Sequence, residues 1–182
     1  MFNLVLISFW LFLPAGIANM TPVFLAHLPL LSKLDQPLDF NQTFNHKPIL
    51  GPHKTIRGLI GGTLASILTV YLQQQLSITF PALNLAENLI SLNPFIWGGL
   101  LGFGALFGDA VKSFFKRRTN IKSGGTWIPF DQIDYILGGI LFSSLYHPLS
   151  FNLYITIFLL YFFLHFVATH TGYLLKLKSS PI

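Results

Sequence analysis

Cysteine is absent from this chain of 182 residues, and charge is scarce. Without cysteine there is no disulfide framework and no thiolate metal site. Asp, Glu, Lys and Arg make up only 9% of the residues, against about 25% in a typical soluble domain. So little charge cannot cover the water-facing surface of a chain that is 52% hydrophobic. An ordinary soluble domain, a disordered chain and a nucleic-acid binder built on a basic face are therefore excluded. The period-two alternation of an outer-membrane barrel is missing as well. What remains is apolar and aromatic, with a mean hydropathy of +0.61.

The few charges mark out the apolar runs. Residues 1–32 carry none, 58–108 carry only Glu87, and 135–175 carry none. At about 20 residues per crossing, these gaps hold one, two and two helices. Pro81 to Pro94 and His147-Pro148 divide the longer ones. The expectation is an all-α integral membrane protein of one domain (1–182), with five transmembrane helices near 3–26, 58–77, 94–115, 132–146 and 151–175. The fourth is short for a full crossing. No Lys or Arg precedes the first apolar run, which argues against a cleaved signal peptide. Pro14 and Pro22 predict an interrupted first helix, a feature tolerated at membrane depth where it lines a protein cavity. Gly98 with Gly102, Gly104 with Gly108, and Gly58, Gly61, Gly62, Gly138 and Gly139 predict close helix approach in lipid.

Four bases lie between helices one and two, five between the end of helix three and helix four, and two after helix five, which accounts for all eleven. With five spans these segments share one side, and the positive-inside rule makes that side cytoplasmic. The expected topology is a multi-pass protein of the cell membrane, N-terminus outside and C-terminus inside, with two functional cytoplasmic loops at about 32–57 and 113–131. Five of the six acids and nine of the eleven bases lie in or beside those loops.

Asp109, Lys112, Ser113 and Lys116 stand at i, i+3, i+4 and i+7, one face of a helix. Asp131 and Asp134 share a face at the start of helix four. An ionisable group at the membrane boundary is a functional candidate, and Asp109 follows an uncharged run from 88 to 108. Three convergent carboxylates suit a hard divalent cation such as Mg²⁺. The surrounding Lys and Arg suit phosphate oxygens. A structural carboxylate–lysine pair at a helix end is the plain alternative. Gly124-Gly125 permits positive φ and offers backbone N–H groups to an anion. Trp127 beside it offers a stacking surface for a base or acyl chain, or packs. His147 reads as a turn residue, and His165 and His170 as interior or interfacial groups.

The segments LPAGIANMTPV (13–23), PLDF (37–40), ILGPHKTIRGLIGG (49–62), GDAVKSFFKRR (108–118) and GGTWIPFDQIDYILGG (124–139) together resemble the CDP-archaeol synthase family. These are membrane cytidylyltransferases related to the phosphatidate cytidylyltransferases. The segments run in family order over nearly the whole chain apart from helix five. The resemblance implies transfer of CMP from CTP to an archaeol-phosphate-like membrane lipid phosphate, with Mg²⁺, giving a CDP-lipid and pyrophosphate. Phosphatidate is the alternative acceptor. A phosphate monoester is already ionised near neutral pH, so no general base is needed, and neutralising two polyanions falls to metal and cationic side chains.

The implied roles follow. Asp109, Asp131 and Asp134 hold the metal. Asp109, Lys116 and Arg117 act at the reaction centre, with Lys116, Arg117 and Arg118 neutralising pyrophosphate. Asn19, Asp39, Lys54, Thr55, Arg57, Lys112, Ser113, Arg118, Gly124 and Gly125 bind CTP or the lipid phosphate. A small transporter would need polar residues through its span midplanes, and helices two and five have almost none. A non-catalytic scaffold would not need five acids gathered beside nine bases. The reading fails if Asp109 lies more than about a dozen ångströms from both Asp131 and Asp134, too far for one ion and its nucleotide to bridge.

Overall fold

A computed structural model of the chain describes residues 2–80, 91–121 and 125–174. Among these residues five α-helices carry the fold: α1 Phe2–Leu25, α2 Ile56–Thr79, α3 Pro94–Arg118, α4 Phe130–Ser144 and α5 Phe151–Leu174. Between α1 and α2 lie a 3₁₀ segment, Pro29–Leu34, and a two-stranded antiparallel ribbon, β1 Thr43–Phe44 and β2 Lys47–Pro48. The limits lie within three residues of those expected, because a helix in lipid ends where its apolar run meets proline or charge. Thr55 caps α2, its Oγ1 accepting from Gly58 N at 3.1 Å. Asn93 caps α3 ahead of Pro94, its Oδ1 accepting from Phe95 N at 2.9 Å.

α1, α2, α3 and α5 are long and apolar enough to cross a membrane. The 15 residues of α4 extend about 22 Å, short of a hydrocarbon core of about 30 Å. Exposed Leu64, Leu68, Ile155, Leu159 and Phe163 give the bundle an apolar exterior. In lipid, expulsion of water does not drive helices together, so contact must come from close packing. The small residues supply it. A Cβ on Gly104 would come 2.5 Å from the Gly138 carbonyl oxygen, and one on Gly98 would come 2.6 Å from Ile67 Cα. Gly108 likewise abuts the Asp134 carbonyl. These pairings run α2, α3 and α4 antiparallel, and Phe12, Trp97, Leu101, Ile136 and Ile157 fill the core between helices.

α1 corrects one expectation: it runs unbroken through Pro14 and Pro22. Each proline removes the N–H that would bond the carbonyl four residues back. The Trp10 carbonyl freed by Pro14 accepts from Gln73 Nε2 at 2.7 Å. The Ala18 carbonyl freed by Pro22 packs against Gly62. α2 thus meets both exposed carbonyls, and no gap in α1 is needed.

Candidate active site

The antiparallel packing brings the start of α4 and the approach to α2 alongside the C-terminal half of α3. α3 presents Asp109, Lys112 and Lys116 on one face, α4 presents Asp131 and Asp134, and the segment before α2 brings Lys54. Lys112 Nζ lies 2.9 Å from Asp109 Oδ1, 2.8 Å from Asp131 Oδ1 and 2.8 Å from Asp134 Oδ2. Three acidic oxygens on one nitrogen cannot lie farther apart than twice the longest of these distances. The requirement that Asp109 stand near Asp131 and Asp134 is met. Lys54 Nζ takes the other Asp109 oxygen at 2.5 Å, and Lys116 Nζ lies 2.8 Å from Asp131 Oδ1. Three carboxylates thus meet three ammonium groups in a cluster of zero formal charge. Asp131 also accepts from Trp127 N at 2.5 Å, and its place in the first turn of α4 favours a negative charge.

The loop that carries Lys54 is built around Asp39. Its carboxylate accepts from Asn41 N at 3.0 Å, Leu50 N at 2.8 Å and Gly51 N at 3.0 Å. Burial works against the ionised form, but these N–H groups outweigh it and hold the carboxyl below its ordinary range. The chain reaches this arrangement through left-handed Phe40 and Asn41 and through Gly51 at φ 94°, the last a conformation that glycine adopts without strain. Leu38 N then donates to Lys54 O at 2.7 Å, and Ile56 N to Gln36 O at 2.9 Å. Asn45 and His46, both at positive φ, turn β1 into β2 as a two-residue type I′ hairpin requires.

Two arginines anchor these loops. Arg118 donates to Phe44 O at 2.7 Å, to Lys47 O at 3.3 Å and to Pro48 O, while Lys47 Nζ donates back to Arg118 O at 3.1 Å. Its guanidinium also stacks 4.7 Å from the Phe114 ring centroid. Arg57, buried, pairs with Asp35 at 2.9 Å and reaches Leu28 O at 3.4 Å. Each guanidinium gathers chain that would otherwise hang free of the bundle.

The structure therefore unites Asp109, Asp131, Asp134, Lys54, Lys112 and Lys116, and places the other expected residues around or away from them. Thr55 caps α2, and Ser113 Oγ donates to Asp109 O at 2.8 Å. Asp39, Arg57 and Arg118 order the loops. Arg117 sits half-buried in the last turn of α3. Asn19 lines a cavity of about 350 Å³ with Phe9, Tyr161 and His165, between α1 and α5. Gly124 lies outside the described residues, and Gly125 directly follows it on the approach to α4. Gly51 does take positive φ, where the loop turns its N–H toward Asp39. Helical spacing put Lys112 on the face of Asp109 but gave no sign that Lys112 would be the lysine enclosed by all three acids. Beside the cluster, a cavity of about 580 Å³ opens between α3 and α4, lined by Phe107, Val111, Phe130 and Leu137 with Lys112 and Asp134 among its walls.

Among the described residues no three His, Asp or Glu side chains form a ready metal-ligand group, and the convergence point of the acids is taken by Lys112 Nζ. The donor set still fits Mg²⁺ in kind, since all three are hard carboxylates from two helices. Asp134 Oδ2 is in ion-pair contact with Lys112 yet is buried without a hydrogen bond, so it keeps a lone pair to offer.

A family model described as "CarS-like: CDP-archaeol synthase" matches residues 1–182. The chain is 36% identical over 157 residues to a CDP-archaeol synthase of Methanospirillum hungatei, covering 80% of this chain and 89% of that one. It is 36% identical over 149 residues to one of Archaeoglobus fulgidus, covering 81% and 79%. With one of Pyrococcus furiosus it shares 31% identity over 178 residues, 97% and 98% of the two chains. A solved structure, described as structural insight into an intramembrane enzyme for archaeal membrane lipids biosynthesis, matches with a TM-score of 0.67 at 27% identity, over 88% of this chain and 91% of that one.

Proposed function

The chain belongs to the CDP-archaeol synthase family, and from that premise we propose how its residues carry out CTP-dependent cytidylyl transfer to a membrane lipid phosphate. The observation that carries the reading is the neutral cluster of Asp109, Asp131, Asp134, Lys54, Lys112 and Lys116 at one end of an apolar bundle. An oxygen of the lipid phosphate attacks the α-phosphorus of CTP. The new P–O bond forms as the bond to the β-phosphate oxygen breaks, and pyrophosphate leaves with that oxygen. The attacking oxygen is already ionised, so no side chain needs to take a proton. The task is to bring two polyanions together, and positioning and charge neutralisation supply most of phosphoryl-type catalysis.

Asp109, Asp131 and Asp134 would hold Mg²⁺, whose chemistry there is neutralisation of phosphate oxygens. Lys54 and Lys112 grip the triphosphate, and Lys116, with Arg117, neutralises the departing pyrophosphate. Asp39, Thr55, Arg57 and Arg118 hold the backbone that presents Lys54. We read residues 1–182 as one catalytic unit with five membrane passes, the short α4 among them. The basic segments sit on the cytoplasmic side, so the N-terminus lies outside, the C-terminus inside, and the site opens to cytoplasmic CTP. The tails stay in lipid while the phosphate meets the cluster.

The acceptor is an ether-linked, archaeol-type phosphate, as the names of the relatives suggest. Protein purified in detergent is to be assayed for CTP-dependent pyrophosphate release with an ether isoprenyl glycerol phosphate and with phosphatidate, with and without EDTA. Release with the ether lipid that EDTA abolishes is expected. Release without any lipid, or none with either, refutes the reading, and preference for phosphatidate reassigns the acceptor.

A further inference from the structure

Lys112 occupies the point at which a cation would draw the acids together. We propose that Lys112 is the internal counter-ion of the site: it holds Asp109, Asp131 and Asp134 in register before metal and nucleotide arrive, and cedes that place when they bind. The inference rests on the reading of these acids as metal ligands. One oxygen from each acid lies within 2.9 Å of the single nitrogen. The Lys112 side chain is 12% exposed and that of Asp134 is 5% exposed, so water does little of the neutralising.

The other two lysines cannot stand in. Among the described residues, Lys54 pairs with Asp109 alone and Lys116 with Asp131 alone. Asp134 has no other ion-pair partner among the described residues. Without Lys112 it would be a buried carboxylate with no cation, an arrangement that proteins relieve by neutralising the group or opening the structure. The same neighbours that make Lys112 a good placeholder make it a competitor, because its ammonium sits where a divalent ion would sit.

A flexible four-carbon stem gives the ammonium somewhere to go. Lys112 also borders the cavity between α3 and α4, so its head can leave the acids without crossing packed core. Loading the acids with a divalent cation frees the ammonium, and the triphosphate that accompanies the cation offers it anionic oxygens. The cluster is formally neutral as it stands, and in this exchange the divalent cation replaces the ammonium among the acids while the ammonium turns to the triphosphate. The site is then slow to take up metal alone and ready to take up metal with nucleotide.

The test uses the full chain in detergent, with Mn²⁺ alone as a paramagnetic probe of binding and thermal unfolding in EDTA or Mn²⁺ as a second readout. Lys112→Met is expected to bind Mn²⁺ without nucleotide at least tenfold more tightly than the wild type. Its unfolding midpoint in EDTA should fall below the wild-type value and recover with saturating Mn²⁺. Lys54→Met, which frees only one Asp109 oxygen, should show no such gain. Equal Mn²⁺ affinity in Lys112→Met and wild type, or equal midpoints in EDTA, overturns the proposal. If Lys112→Met and Lys112→Gln accumulate only when purified in Mn²⁺, the proposal stands. If neither accumulates even then, the acids need this lysine and not merely a cation, and the proposal falls. These outcomes are independent of catalysis: a wild type that releases no pyrophosphate from CTP and lipid phosphate refutes the function, whatever its Mn²⁺ binding.

Discussion

Where α3 meets α4, backbone touches backbone: Gly104 and Gly108 face Gly138 and the Asp134 carbonyl with no side chain between them. Where α1 meets α5, an aromatic ring stands in the gap. The Tyr161 ring lies against Gly16, stacks edge-on with Phe12 at 4.9 Å between centroids, and borders a cavity of about 350 Å³. Glycine against backbone has no rotamer to change, so the first seam fixes the relative height of Asp109 and Asp134 closely. A ring beside a void has room to shift, so the second seam tolerates movement. The charged cluster lies on the rigid seam, where a small displacement would part oxygens that must share one cation.

The largest effect should come from the cluster itself. Asp109→Asn leaves the glycine contacts intact but removes the charge that pairs Lys54 and Lys112. Its turnover is expected to fall about 10³-fold, the scale of losing a preorganised electrostatic group, while the protein still inserts. Wild-type pyrophosphate release from this variant would separate the seam from the chemistry altogether.

Next comes a direct contest between the seams. Gly138→Leu drives a side chain into the Gly104 carbonyl and Gly108, neither of which can rotate away. Overpacking of this kind costs about 1–3 kcal/mol or more, and turnover should fall with thermal stability as the acids part. Gly16→Ala meets only the edge of the Tyr161 ring, 3.1 Å away. It should cost less than about 1 kcal/mol and leave turnover near wild type. Equal losses in the two variants would break the comparison.

Much of this was legible in the sequence, and the boundary is physical. Helix positions followed from where charge and proline interrupt apolar runs, and the shared face of Asp109, Lys112 and Lys116 followed from the helical repeat. The glycine spacing foretold the tight seam. Less legible was anything decided by a second element. Arg57 and Arg118 could as well have reached for phosphate; only the fold shows them spent on Asp35 and on the carbonyls of β1 and β2. Pro14 and Pro22 predicted an interrupted α1, and no local signal showed that Gln73 would meet the freed carbonyl from across the bundle. Which lysine would sit among the acids depended on the height of α4 against α3, set by Gly108 and Gly138.

A third effect, smaller again, bears on whether the loop or the seam positions the acids. Asp39→Asn replaces a carboxylate that gathers three N–H groups with an amide that can match fewer of them, at a cost of about 1–3 kcal/mol. Turnover should drop tenfold or less, because Lys54 loosens while Asp109, Asp131 and Asp134 stay clamped. Since the folded carboxyl titrates below its ordinary 3.8, its contribution is complete above that value and is lost as pH falls through the lower, folded value. Wild-type stability should therefore decline below about pH 3.8 by an amount missing from Asp39→Asn, read from thermal unfolding midpoints along a pH series. A larger loss of turnover than in Gly138→Leu would move the positioning role from the seam to the loop.

The smallest effect belongs to the tolerant seam. Tyr161 Oη donates to the Phe9 carbonyl at 2.6 Å, and Tyr135 Oη donates to the Tyr161 carbonyl at 3.0 Å, linking α1, α5 and α4. Tyr161→Phe keeps the ring against Gly16 and Phe12 and deletes only the first of these bonds. A net loss of about 0.5–1.5 kcal/mol is expected, the low end applying because the Phe9 carbonyl lies within α1 and keeps its helical partner. Turnover and metal dependence should not change, since no group of the cluster touches Tyr161. A lowered midpoint with unchanged turnover would show that the α1–α5 seam supports the bundle without setting the acids. A loss of turnover out of proportion to stability would mean that α4 is held in place from the α5 side as well, and that the glycine seam is not sufficient to align Asp134 with Asp109.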